Sequence, residues 1–333
     1  MQQVIAAIES SYGLNVIAAT RINSGFGTRN FEVIDNKQRR YFAKEWTKDG
    51  PHANRVLEYT RYIGGRAAFV PTPLSTRDGA LHTSHPIVIA LFPFVSDAKP
   101  LDALSADVAP LVGEALAAIH DAGAGYPPHL MDREEGWIRS DGGPALSRKF
   151  DALERQIHSK PVKDEFDLAT LDFIRQKRDR LSRLESLLEP LIALQGAPIH
   201  GDFSMQNVLF SSTRQVSAVV DLSPQFFLRA WELGRIAFNV ETICTTDDWL
   251  STALGVLEGY RNTCASLRRD DIRFAHYAWQ VQLIRSTYGA WQHYFQPHEF
   301  QADLDRFWRH RCRAATALFN RWPEIEAHVE SLL

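Results

Sequence analysis

Cysteine is scarce in this chain. Its three cysteines, Cys244, Cys264 and Cys312, are odd in number and lie far apart in the sequence. A disulfide framework needs paired cysteines and a zinc site needs closely spaced ones. The pattern therefore excludes a domain stabilised by several disulfides or by a structural zinc ion. We therefore expect buried, free thiols in a reducing compartment.

Long apolar runs are also missing. The longest, residues 86–95, is about half the length of a membrane span and contains Pro93. The chain starts without a basic segment, and Glu9 follows too soon for a signal peptide. These absences predict a cytoplasmic protein without a membrane partner.

Neither sign of charge dominates the sequence. The formal net charge is −3 and the pI is near 6.5, so we expect no basic surface for nucleic acid. The sequence contains no repeat of fixed period, Walker A loop, zinc signature or G-x-S-x-G elbow. A length of 333 residues favours two lobes or domains, and the oligomeric state stays open.

The most informative stretch is residues 197–210, followed by Val219-Val220-Asp221. It reads as a short apolar strand, a polar turn and a hairpin, and it predicts that Asp202, Asn207 and Asp221 are held on backbone fixed by sheet pairing. Phosphoryl transfer needs a carboxylate to receive the proton of a hydroxyl and oxygen ligands for Mg²⁺. One Asp, one Asn and a second Asp provide these groups. The simpler alternative is a hairpin whose Asp and Asn only cap the turn.

The segment His200-Gly201-Asp202-Phe203-Ser204-Met205-Gln206-Asn207 resembles the HGDxxxxN loop of the aminoglycoside phosphotransferase and choline kinase superfamily. The resemblance implies that Asp202 is the catalytic base and that Asn207 and Asp221 bind magnesium. Many members carry a second acid two residues after the metal-binding Asp. Here that residue is Ser223, so the number of metal ions stays open.

The same resemblance implies an α+β, two-lobed, protein-kinase-like fold. Residues 1–95 would form an N-lobe with a small antiparallel β-sheet, and residues 96–333 a mostly helical C-lobe. The resemblance covers residues 17–234; beyond them the chain matches only in being helical.

The N-terminal third has the pattern of a nucleotide-covering sheet. Strands at 16–22 and 31–34 flank a loop with Gly25 and Gly27, which permits a phosphate to approach the backbone closely. Lys44, on a strand at 40–46, shares a face with Phe42 and Trp46 and needs an anionic partner if buried.

The family resemblance assigns further binding roles in this third. It makes Lys44 the phosphate-binding lysine and favours Glu58, on a helix at 51–63, as its partner over Glu45. Phe94 and Val95 follow an apolar strand at 87–92, at the position of the hinge that binds adenine through its backbone.

Several further segments have weaker patterns. Residues 73–75 and 80–83 predict two strands around the turn at 77–79. Residues 124–143 predict a long loop that borders the acceptor. Asp247 and Asp248 suit either a cationic acceptor or a helix start. A stripe of seven residues at helical spacing favours a core face over an aromatic cage for a quaternary ammonium: Phe274, Tyr277, Val281, Ile284, Tyr288, Trp291 and Phe295.

The sequence thus predicts a small-molecule kinase. It would use ATP, or another nucleoside triphosphate, with Mg²⁺ to phosphorylate a hydroxyl of a small molecule such as an antibiotic or related amino sugar. A metabolite kinase for homoserine, choline or ethanolamine is an alternative, and a nucleotide-binding pseudokinase acting as an interaction module is another. A protein kinase is disfavoured because Gly201 replaces an Arg before Asp202 and no activation segment is recognisable.

Overall fold

The structure is a computed structural model that describes residues 1–22, 28–46, 50–133, 142–297 and 300–333. The chain forms two compact units, each built from separated segments. The first unit comprises residues 1–101, 118–132 and 197–226, and the second comprises residues 102–117, 133–196 and 227–333. Among the helices of the described residues, none has the length and apolarity to cross a membrane.

A four-stranded antiparallel sheet opens the first unit. Its strands lie in chain order: β1 (Val16–Ile22), β2 (Thr28–Asp35), β3 (Arg40–Trp46) and β4 (Val88–Pro93). The strands predicted at 16–22 and 40–46 are confirmed, and β2 is longer than predicted. On β3, Lys44 is paired with Asn30 of β2 and Ala90 of β4, which places the lysine in the middle of the sheet.

Two helices pack with this sheet. Helix α1 (Gln2–Tyr12) ends at Gly13, whose φ of 69° is left-handed, and α2 spans Gly50–Gly64. Because side chains alternate along a strand, Ile89 and Leu91 of β4 join one core cluster with α1, whereas Ala90 joins another with α2. The sheet therefore lies between two apolar layers.

The predicted catalytic hairpin also belongs to the first unit. Strand β5 (Ala98–Lys99) pairs with β8 (Val208–Ser211), which pairs with β9 (Val216–Val219). A second small sheet has the order β6 (Asp132–Arg133), β10 (Gln225–Phe227), β7 (Ala197–Ile199). Strand β7 is fully buried and leads directly into His200.

The strands predicted at 73–75 and 80–83 are wrong, because the structure has no strand there. Pro71 and Pro73 cannot donate to a ladder. The Thr76 hydroxyl contacts Asp78 and the Ala80 carbonyl within the turn. Single backbone hydrogen bonds, from Leu74 to Leu91 and from Thr83 to Ile89, join the two segments to β4 without a ladder. The predicted turn at 77–79 is confirmed.

The second unit is mostly helical. Helix α3 (Ala109–Gly123) begins in this unit and ends in the first. The other described helices are α4 (Gly142–His158), α5 (Glu165–Leu181), α6 (Leu184–Ile192), α7 (Arg229–Ala237), α8 (Val240–Thr245), α9 (Trp249–Thr263), α10 (Arg269–Arg273), α11 (Ala275–Arg285), α12 (Ala290–Phe295), α13 (Gln301–Asn320) and α14 (Trp322–Leu332). Cys244, Cys264 and Cys312 form no disulfide, and Cys264 and Cys312 are buried as expected, whereas Cys244 is half-buried.

The predicted aromatic stripe of the last third is split between two helices. Helix α11 ends at Arg285, and Gly289, with φ 95°, precedes α12. Val281 and Ile284 are buried, in agreement with the core interpretation. Tyr288 and Phe295 are exposed, so the core interpretation is wrong for the part of the stripe beyond the break.

Candidate functional site

His200 anchors the turn that carries Asp202. The ring is fully buried, its Nε2–H donates to the Val220 carbonyl at 3.1 Å, and its Nδ1 accepts from the Asp202 backbone N–H at 3.2 Å. This pair of partners assigns the Nε2–H tautomer. The imidazole of His200 thus connects the backbone of Val220, the residue before Asp221, to the backbone of Asp202. Its sequence signal is a histidine between a buried strand and Gly-Asp, and we did not predict this role.

Gly201 allows the backbone at His200 to lie close to the backbone at Ser223. Its φ is 84°, and the Ser223 N–H donates to the His200 carbonyl at 2.8 Å. A Cβ at Gly201 would lie closer than 3.0 Å to the Ser223 carbonyl group, a separation that real Cβ atoms do not show. Glycine is therefore required here both by the dihedral angle and by the neighbouring backbone.

Asp202 and Asn207 form one hydrogen-bonded group across the turn. The Asn207 Nδ2 donates to the Asp202 carbonyl at 2.8 Å and to the Asp202 Oδ2 at 3.1 Å. Asn207 is itself held, since its N–H donates to Ser204 and its carbonyl accepts from Val220. Within the described residues Asn207 makes its side-chain hydrogen bonds through Nδ2, which leaves Oδ1 as an acceptor for a cation.

Asp221 pairs with Lys44. The carboxylate contacts the Lys44 Nζ, so the structure brings the predicted phosphate-binding lysine to the predicted metal ligand. The lysine side chain is 13% exposed and lies over Trp46, with its Nζ 5.3 Å from the ring centroid. Asp221 has a φ of 60°, a conformation that is uncommon outside glycine and concentrated at functional sites.

Glu58 does not pair with Lys44 in this structure. Its carboxylate lies 2.7 Å from Arg61, one turn along α2, and both side chains are exposed. Glu45, the other acid that the sequence offered, is buried and pairs with Arg29 on the neighbouring strand. The expectation of a Lys44–Glu58 pair is therefore corrected, because the carboxylate of Asp221 is the one that reaches the lysine.

The predicted hinge follows the edge of the sheet. The Phe94 N–H donates to the Arg40 carbonyl at 3.3 Å, and the Arg40 guanidinium lies 4.0 Å from the centre of the Phe94 ring. Phe94 and Val95 are both half-buried. Since the Phe94 N–H is engaged within the protein, backbone recognition of a base would fall on the carbonyls and on Val95.

Some predicted positions are not brought to this site. Gly25 and Gly27 lie outside the described residues, as do residues 134–141 of the predicted long loop. Asp247 and Asp248 belong to the second unit, where Asp248 precedes α9 without a side-chain capping bond. Among the described residues no three His, Cys, Asp or Glu side chains group as metal ligands.

Comparison with protein families gives the class of this chain. Residues 18–224 match the phosphotransferase enzyme family, which is more than half of the chain, and the chain belongs to that family. The predicted family, the α+β kinase-like fold and the prediction of a small-molecule phosphotransferase are thereby confirmed.

Solved structures give the same fold. An aminoglycoside phosphotransferase from Alicyclobacillus acidocaldarius is 18% identical, with a TM-score of 0.66, over 98% of this chain and 94% of its own. Spectinomycin phosphotransferase in complex with ADP and spectinomycin is 16% identical, with a TM-score of 0.66, over 95% and 97%. Choline kinase from Cryptosporidium parvum is 14% identical, with a TM-score of 0.57, over 99% of both chains. None of the curated proteins matches.

Proposed function

We propose that this protein is an ATP- and Mg²⁺-dependent phosphotransferase that phosphorylates a hydroxyl group of a small molecule. The observation that carries the proposal is the constellation within the first unit: Asn207 donates to the Asp202 carboxylate at 3.1 Å, and Lys44 pairs with Asp221. Phosphoryl transfer requires a positioned carboxylate, as in Asp202 held by Asn207, and a cation beside a second carboxylate, as in Lys44 paired with Asp221.

The donor set fits a magnesium–nucleotide complex. Mg²⁺ keeps several waters and takes one or two protein oxygens together with phosphate oxygens, which suits Asn207 Oδ1 and the Asp221 carboxylate. Asp221 is 46% exposed, so a hydrated ion reaches it. When bound, the complex supplies the phosphoryl group and the metal charge that neutralises its oxygens.

Each residue then has a separate task. Asp202 receives the proton of the acceptor hydroxyl, and the Asn207 Nδ2–H orients its carboxylate. With a nucleotide bound, Lys44 would hold a phosphate oxygen and Asp221 would hold the metal ion. Phe94 and Val95 would bind the base through the backbone. Gly25 and Gly27, which lie outside the described residues, are proposed from the sequence as phosphate-binding positions.

The acceptor that we propose is an antibiotic or related amino sugar. The resemblance of the fold to aminoglycoside and spectinomycin phosphotransferases favours this class. The resemblance to choline kinase keeps choline or another metabolite alcohol as the second candidate. We propose cytoplasmic action, where the three free cysteines stay reduced.

The test is Asp202→Asn, compared with Asp97→Asn at an exposed position of the same unit. ADP formation is measured across aminoglycosides, spectinomycin, choline, ethanolamine and homoserine, and ATP binding by calorimetry with and without Mg²⁺. We expect Asp202→Asn to lower transfer by about 10²–10⁴-fold, since that is what a positioned base contributes, and to leave ATP affinity within about twofold.

The same titrations with Asp221→Asn test the metal site, because this variant should lose the Mg²⁺-dependent part of ATP affinity. Undiminished transfer by Asp202→Asn would refute the catalytic role. ATP binding without transfer to any acceptor would instead favour the pseudokinase alternative.

A further inference from the structure

The second unit contains a groove between the start of α3, one side of α9 and α14. Its volume is about 480 Å³. Volumes of roughly 300–1,000 Å³ are typical of sites that bind small molecules. All the residues that line the groove belong to the second unit, whereas Asp202, Asn207 and Asp221 belong to the first. The proposed transfer reaction therefore does not account for this groove.

The groove follows one face of α9. Asp248 precedes the helix, and Ser251, Leu254 and Glu258 line the groove at helical spacing. At a rise of roughly 1.5 Å per residue, Asp248 and Glu258 are about 15 Å apart along the helix. The α9 side of the groove thus has a carboxylate towards each end and the apolar Leu254 between them.

The helix itself does not explain these two acids. Asp248 makes no side-chain capping bond at the start of α9. Glu258 lies in the second half of the helix, where the helix dipole gives an acid no advantage. Within the described part of the chain, neither carboxylate has a hydrogen bond or an ion pair. Both are therefore available to a ligand.

The opposite side of the groove adds little free positive charge. Arg321 lines it, but its guanidinium donates to the Glu324 carboxylate at 2.5 Å and 2.7 Å. This hydrogen bonding is the main cause of the raised pKa of Arg321, and Asp248 makes a smaller contribution. The Nδ1–H of His328 donates to the Glu324 carbonyl at 2.7 Å, so the neutral ring keeps Nε2 as an acceptor. Three carboxylates and one guanidinium line the groove, which is therefore negative at neutral pH.

The shape and the charge of the groove together match a linear polyamine. Its ammonium groups would pair with Asp248 and Glu258, and its methylene chain would lie against Leu254 and Pro110. An anion is disfavoured by the excess of carboxylates. A metal ion is disfavoured too, since no three His, Cys, Asp or Glu side chains of the described residues group as ligands.

We propose that the groove between α3, α9 and α14 is a binding site for a linear polyamine, held by the carboxylates of Asp248 and Glu258. The site does not rest on the proposed function, because the transfer residues belong to the first unit. Its failure or success is therefore measured without ATP and without transfer.

The experiment titrates the full-length, nucleotide-free protein by calorimetry with spermidine and, separately, with the aminoglycoside kanamycin, at constant ionic strength. Asp248→Asn combined with Glu258→Gln removes both carboxylates and keeps the side-chain size. Glu185→Gln combined with Glu189→Gln is the matched control, because it removes two exposed acids from α6 of the same unit. Ser251→Arg keeps the two acids of the groove and adds a positive charge between them.

We expect one saturable spermidine site in wild type and in the α6 control. The variant without Asp248 and Glu258 carboxylates should bind spermidine about tenfold more weakly or worse, because two charge-assisted hydrogen bonds are lost. Ser251→Arg should weaken binding by a similar factor through repulsion between like charges. Urea unfolding of each variant checks that it is folded, and Ser251→Arg decides the question if the double variant is not.

Several outcomes would overturn the proposal. One is the absence of saturable spermidine binding to the wild-type protein. Another is an equal loss of affinity in the α6 control, which would indicate only general attraction to a negative surface. Unchanged affinity in the groove variants would place the spermidine elsewhere. Tighter binding of kanamycin than of spermidine would contradict the assignment to a linear polyamine.

Discussion

Replacement of Gly201 by alanine tests whether the backbone crossing beside Asp202 holds the site together. The new methyl group would have to displace the Ser223 carbonyl group, and the φ of 84° would become strained. The shift would break the hydrogen bond between the Ser223 N–H and the His200 carbonyl. Since His200 also binds the Asp202 N–H, Asp202, the proposed catalytic base, would move with it.

The magnitude follows from two contributions. A left-handed dihedral costs an alanine about 1–2 kcal/mol. Loss of the hydrogen bond leaves a buried polar group unsatisfied, at about 1–3 kcal/mol. We therefore expect the free energy of unfolding of Gly201→Ala to fall by roughly 2–5 kcal/mol, and transfer to fall about 10²-fold because the base is misplaced.

Gly79 provides the matched control for this substitution. Its φ is 85°, and an added Cβ would meet no atom within 4 Å. Gly79→Ala thus has the dihedral cost without the displaced carbonyl, and it should retain full activity. Urea unfolding followed by tryptophan fluorescence gives the stability of both variants, and ADP formation is measured where both are folded. If the two variants lose the same stability and Gly201→Ala keeps its activity, the reasoning is refuted.

Three further predictions concern groups around and beyond the site. Burial lowers the pKa of His276 to about 3. Below about pH 6.5 the unfolded chain therefore binds a proton that the native state does not bind, so the free energy of unfolding falls as the pH drops from about 6.5 towards 3. His276→Phe should remove about 1 kcal/mol of the loss between pH 6 and 5; an unchanged slope of urea-unfolding free energy against pH would contradict this. Lys177→Met should lower the free energy of unfolding by about 1–3 kcal/mol or more, because the Lys177 ammonium group donates to the carbonyls of Leu283 at 2.5 Å and Ser286 at 2.8 Å. A change below about 0.5 kcal/mol, which is typical of an exposed substitution, would exclude this capping role. Glu58→Gln should change the stability of the nucleotide-free protein by at most about 0.5 kcal/mol, since its pair with Arg61 is exposed, and a larger loss in thermal or urea unfolding would show that the surface pair was misjudged.

Much of the first unit was predictable because local patterns and tertiary packing agree there. The strands predicted at 16–22 and 40–46 are β1 and β3 of the structure, with the same bounds. The prediction of strands at 73–75 and 80–83 was wrong, because each segment donates a single backbone hydrogen bond to β4, from Leu74 to Leu91 and from Thr83 to Ile89. Alternation does not reveal whether such contacts extend into a ladder. Gly289 illustrates the same limit, since the helical period of the aromatic stripe continues through a break in the backbone.

The candidate site also has one feature that the sequence predicts and one that it does not. Asp202 and Asn207 are five residues apart in one turn, so their hydrogen bond is a local consequence of the motif. The ion pair of Lys44 with Asp221 joins residues far apart in the chain, whereas the sequence favoured Glu58 as the partner of the lysine, with Glu45 as the alternative. Only the packed structure determines which carboxylate reaches the lysine.

By itself, the sequence determined the family, the strands β1 and β3, and the residues of the proposed catalytic turn, because these depend on side-chain identity and on spacing within a few residues. Tertiary structure alone decided the partner of Lys44 and the tautomer and anchoring role of His200. Those features arise from contacts between segments that are distant in the chain. The energy of such contacts depends on burial and on neighbouring charge, which the linear sequence does not specify.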